Sequence, residues 1–89
     1  MKYYYIVLLA RSQAFLLEQR MKAAGIPCEI AYMPREIMVD LCNMGIKVDS
    51  VNLNLALAVL SRSGLYGWKV FEETLFPDRA VYTCIRAQK

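Results

Sequence analysis

An α+β fold, a two-layer sandwich of two helices on an antiparallel sheet, is what this sequence predicts. Three observations predict it. The 89 residues are 57% hydrophobic, which is one domain, residues 1–89, with a single core and no room for a second. Two segments repeat their apolar residues at helical spacing. Strand-like runs flank each of them, in the order β-α-β-β-α-β, and one more strand comes after. With parallel strand pairs joined by right-handed helical crossovers, that order is the ferredoxin-like βαββαβ arrangement with a C-terminal extra strand.

Each element has a local cause. Tyr3 to Leu9 is a continuous aromatic and aliphatic run, apolar on both faces, and reads as a central strand. Several of Tyr3, Tyr4, Tyr5 and Ile6 are expected on an open sheet face. Ser12 is a candidate N-cap for a helix whose apolar stripe is Ala14, Leu17, Met21 and Ala24. Gly25 and Pro27 stop it. "IPCEIAY" reads as the second strand and "MGIKVD" as a short third one. Asp49 or Ser50 can cap the second helical segment. "VNLNLALAVL" alternates like a strand, but alanine and leucine dominate and Leu53, Ala56, Leu57 and Leu60 share one helical face. Val51, Leu55 and Val59 make a second apolar edge, which predicts a helix covered on more than one side. Ser63-Gly64 ends it. "WKVFEETLF" is the fourth strand, Pro77-Asp78 a turn, and "AVYTCIR" a further, shorter strand.

Composition excludes a good deal. A net charge of +3, with the basic residues scattered, is no counterion-releasing stripe, so no nucleic acid is expected. An RNA-recognition sheet would also want aromatics on its third strand, and "MGIKVD" has none. No apolar run approaches the ~18 residues of a membrane span, so no membrane is expected either. The sequence contains no histidine, hence no imidazole base and no histidine-ligated metal. Three cysteines, an odd number without close spacing, suit a reducing, cytoplasmic compartment and form no zinc knuckle. No cofactor fingerprint occurs. The reactive group left is a thiol.

The segment from Tyr32 to Val48 holds the candidate. Pro-Arg-Glu-Ile, residues 34–37, is followed by Cys42, Asn43 and Gly45. A strand, a helix ending in "AAGIP", a second strand and then this motif resemble the selenium/sulfur carrier-like family (domain of unknown function 3343), over about residues 2–64. The resemblance implies a cysteine that holds sulfur or selenium. Residue by residue, Pro34, Arg35, Glu36 and Ile37 match the motif and Cys42 its cysteine. Here the glycine comes three residues after the cysteine in a bulkier loop, and the tail from about Trp68 lies outside the likeness.

A carrier needs an accessible, ionisable thiol. Arg35 and Lys47 are the cations on hand, and Asn43, Met44 and Gly45 offer backbone N–H groups. Asp40 opposes a second negative charge. If Pro34 starts a short helix running through Ile37, Leu41 and Met44, Cys42 falls near its C-terminal end, where the dipole disfavours a thiolate; an extended loop frees it. The commoner fate of a cysteine is burial as a small hydrophobe, which is the reading for Cys28; Cys84 reads as structural or interfacial. Arg35-Glu36 is an ordinary solvated pair on most proteins.

These observations point to a sulfur or selenium carrier with a persulfide-type adduct on Cys42, and with Arg35, Glu36, Asn43 and Gly45 forming the binding loop. It is a carrier more than an enzyme, because no acid-base residue accompanies the thiol. A cysteine desulfurase is the expected kind of donor, and the apolar surplus predicts a homodimer. The alternative is a non-catalytic interaction or assembly module using the tyrosine-rich sheet face. A small-molecule sensing dimer is a third reading, by fold analogy.

Overall fold

The computed structural model describes residues 2–37 and 44–88. Five strands and two α-helices succeed one another as β1 (Tyr3–Val7), α1 (Arg11–Ala23), β2 (Glu29–Tyr32), β3 (Met44–Asp49), α2 (Leu53–Arg62), β4 (Lys69–Leu75) and β5 (Ala80–Ala87). Short 3-10 turns at Arg35–Ile37 and Ser50–Asn52 precede β3 and α2. The strands form one sheet in the order β2-β3-β1-β4-β5, every neighbouring pair antiparallel. The fold is therefore α+β. β1 lies between β3 and β4, as its two apolar faces require. Each helix carries the chain across one intervening strand.

The apolar period of α1 delivers Ala14, Leu17 and Met21 to the sheet with no exposed surface. Its start differs from expectation. Ala10 occupies the cap position without a side-chain bond, and Ser12 is an exposed residue inside the first turn. The Gln13 side chain instead accepts from the Leu9 N–H at 3.0 Å. Gly25 ends the helix at φ 77°, a left-handed conformation that favours glycine. Asp49 caps the second helical segment, its Oδ1 accepting from the Asn52 N–H at 3.0 Å. In α2, Ala56, Val59 and Leu60 are buried, whereas Leu55 is 58% exposed and Val51, just before it, 78%. The helix is thus covered on one side only.

The sheet has two unlike faces. Tyr4, Ile6, Leu8, Ile46, Val48 and Val70 meet both helices in one apolar cluster. On the opposite face Tyr5 and Val7 pack with Met33 and Ile37, which arrive from the segment after β2. That corrects the expected open, tyrosine-rich face. Tyr4 and Ile6 belong to the helix side, and Tyr5, though opposite, is only 7% exposed. Alternation along β1 divides the tyrosines between two covered sides. β5 is also longer than expected, eight residues, the longest strand in the sheet. Among the described residues it pairs with β4 alone, and a bulge leaves Ile85 unpartnered between the pairs Phe71–Cys84 and Val70–Arg86. Among the described residues no helix is long and apolar enough to cross a membrane.

Candidate functional site

The Pro-Arg-Glu-Ile motif is held against the sheet by the apolar residues that bracket its charges. The Ile37 N–H donates to the Pro34 carbonyl at 3.0 Å and closes the 3-10 turn, for which proline's fixed φ is already suited. Met33 and Ile37, both 5% exposed, plug into the second face beside Tyr5 and Val7. Between them Arg35 and Glu36 stand exposed. Arg35 makes no ion pair among the described residues. The turn ends at Ile37, and Met44 already belongs to β3, so no described helix joins the two.

The two ends of the segment are pinned together. Tyr32 of β2 pairs with Met44 of β3, and Ala31 with Gly45. Gly45 lies inside β3, buried, with Ala31 on one side and Val7 on the other. A Cβ there would collide with the Ile6 carbonyl oxygen and lie 2.8 Å from the Met33 sulfur. Glycine at this place lets the Met33 side chain cross over the strand and anchor the motif behind it. Cys42 and Asn43 lie outside the described residues.

Lys47 is not gathered to the motif. It points along the same face as Tyr3 and Tyr5, its ammonium 4.3 Å from the Tyr3 ring centre and 5.9 Å from that of Tyr5. In register it stands opposite Tyr5 and Glu29, two positions beyond Gly45.

The other thiols differ from each other. Cys28 precedes β2 and packs partly buried against the helix-side cluster. Burial pushes its pKa up, and the nearby Glu18 carboxylate adds to the rise while Lys22 opposes it. It lines a hollow of about 180 Å³ with Tyr3, Pro27, Glu29, Lys47 and Asp49, but a thiol held in its protonated form is a poor nucleophile. Cys84 is exposed on β5, its Sγ 3.6 Å from the Arg86 carbonyl to which it donates.

A hydrogen-bonded acid under the motif has no counterpart in the sequence-derived site. Glu73, 9% exposed, accepts from the Tyr82 hydroxyl at 2.8 Å and the Tyr5 hydroxyl at 3.3 Å, both at Oε2. The rings of Tyr5 and Tyr82 meet edge to face, 5.8 Å between centres. Burial, then the Glu73 charge, pushes the Tyr5 phenol up to about 12. Tyr82 is raised by burial first, then by its bond to Glu73, with a contribution from the Glu36 charge of the motif. The signal was legible in "FEETLF". Two adjacent glutamates in a strand take opposite faces, so one must meet a covered side. Glu72 takes the other, accepting from Tyr4 Oη at 2.9 Å and Lys2 Nζ at 3.2 Å.

A family model described as "Putative Se/S carrier protein-like" matches residues 3–72, a span that includes the motif, Cys28 and Cys42 and stops before Cys84. No curated protein and no solved structure matches the chain.

Proposed function

The chain belongs to the Se/S carrier protein-like family, and on that footing we propose that it carries sulfur or selenium as a persulfide-type adduct on Cys42. The observation that carries the reading is the family match, which spans Cys42 while the other cysteine within it, Cys28, is half-buried with its thiol pushed toward the protonated form. Support comes from the described flanks: an exposed Arg35 guanidinium on a turn anchored by Met33 and Ile37. In this reading Arg35 stabilises the charged adduct or docks the donor. Glu36 marks the rim of the same surface, and Asn43 and Gly45 shape the segment that presents the thiol.

The transfer balances as an exchange. The Cys42 thiolate attacks the terminal sulfur of a donor's persulfide; a new S–S bond forms, the donor's S–S bond breaks, and the donor leaves as a thiolate. Cys42 then holds the sulfane sulfur, and no external oxidant is consumed. A cysteine desulfurase is a donor of the required kind. The setting we propose is a bacterial cytoplasm, the working form a homodimer, and the fold class ferredoxin-like. The interleaved order β4-β1-β3-β2, with both helices on one face, supports that class.

Incubation with a cysteine desulfurase and cysteine tests the function by intact mass. The expected result is one added sulfur, absent in Cys42→Ser and removed by a reducing thiol. An unchanged mass, or an adduct that survives Cys42→Ser, overturns it.

A further inference from the structure

The two edges of the sheet are built differently, and the difference selects a partner. β2 is four residues long, with Pro27 and Pro34 two positions beyond its ends and the charged Glu29 within it. Short length, proline and charge are the usual protections of an edge strand. From Ala80 to Cys84 β5 has none of them, and its bulge, another such protection, comes only at Ile85. Its first six residues, Ala80 to Ile85, carry no charge, no proline and no glycine, and include the strong strand formers Val81, Tyr82, Thr83 and Ile85. From Thr83 onward its residues are exposed, and among the described residues nothing pairs with its outer side. The hairpin it forms with β4 also leaves Leu75 at 66%, Phe76 at 47% and Ile85 at 45% exposure.

We propose that β5 is a homodimer interface: two copies pair their β5 strands antiparallel about a two-fold axis at Thr83, fusing two five-stranded sheets into one. Self-complementarity favours a second copy over any other occupant. With the axis at Thr83, Thr83 stands opposite its own copy and Tyr82 opposite Cys84, twice, all short of the bulge that sets Ile85 out of register. No arginine opposes an arginine in that pairing. Closure gives the second reason. Pairing β5 with β5 consumes both open edges and leaves only the two proline-flanked β2 edges outside, so assembly stops at two. An unpaired β5 would remain an open template of high strand propensity and low charge.

This assigns a surface to the two-fold state taken up in the proposed function, and it is separable from sulfur loading, which the mass measurement reads alone. Light scattering on the eluting protein at micromolar concentration is expected to give a dimer. The double substitution Thr83→Lys/Ile85→Lys puts a cation on the axis against its own copy and a second beside it, and is expected to give a folded monomer, with circular dichroism unchanged. A short bis-maleimide is expected to cross-link the wild-type protein, the cross-link disappearing in Cys84→Ser; this readout stands even if the double variant misfolds. A wild-type monomer overturns both the dimer and this surface while leaving the carrier reading intact. A dimer that survives the two lysines, or a cross-link indifferent to Cys84, overturns the surface alone.

Discussion

On the helix-covered face of the sheet, Ile6, Leu8, Ile46 and Val70 are fully buried against Leu17, Met21 and Leu60. On the opposite face Tyr5 and Val7 are also buried, but their neighbours include Met33, Ile37, Tyr82 and the Glu73 carboxylate. The first face is held chiefly by close apolar packing, which is strong and indifferent to pH, with the Tyr4 hydroxyl and Lys2 bonded to Glu72 at its margin. The second reaches similar burial with fewer aliphatic contacts and with hydroxyls donating to one acid. Cover there comes from a short turn rather than from helices. The difference teaches where this small domain puts exposed charge: Arg35 and Glu36 of the Pro-Arg-Glu-Ile turn ride on the second face.

The sharpest test is a pair of deletions, one from each face. Leu17→Ala, at a site with no exposure and contacts to the sheet, is expected to lower stability by about 2–5 kcal/mol, read as a fall in the calorimetric midpoint. If it fell by no more than the second-face variants do, the claimed division of strength between the faces would fail. Glu73→Ala comes next, at about 1–3 kcal/mol, because it strips an acceptor from two tyrosine hydroxyls. Glu73→Gln, which keeps an acceptor oxygen, is expected to lose less than Glu73→Ala in the same denaturant titration.

The smallest effect is a matter of pH. Tyr5 has a folded pKa raised from 10.0 to about 12, with Tyr82 raised for the same reasons. A group whose folded value is raised gives stability that is fully present below its unfolded pKa and is lost as pH climbs through the folded one. The protein is therefore expected to weaken between about pH 10 and pH 12, with late phenolate absorbance from these two rings. Tyr5→Phe should flatten that slope while leaving Leu17→Ala as damaging as before. A slope unchanged in Tyr5→Phe would remove Tyr5 from the alkaline loss.

What could be read without a structure was set by short-range rules. The Ala14-Leu17-Met21 stripe, the left-handed Gly25, the Asp49 cap and the strand Met44–Asp49 depend on residues a few positions apart, and each is found where its local pattern puts it; only Ala24, expected to end the stripe, caps the helix exposed. The cap at Ser12 failed for a local reason as well, since Gln13 reaches back to Leu9 in its stead. Of the candidate site, the sequence offered the Pro-Arg-Glu-Ile segment with Arg35 and Glu36, whose role belongs to the proposal; nothing near that segment announced Glu73 or Tyr82, which come to the second face from strands 36 or more positions later.

By itself, then, the sequence determined the kinds of elements, their order and the motif they carry, because periodicity, caps and stop signals act within a turn or a strand pair. Only the tertiary structure decided which face each tyrosine of β1 would occupy and what would cover it. It alone turned Gly45 from a loop residue into the gap through which Met33 anchors the motif. Those outcomes rest on contacts between segments far apart along the chain, fixed once β1 is threaded between β3 and β4 and every side chain must alternate to fit.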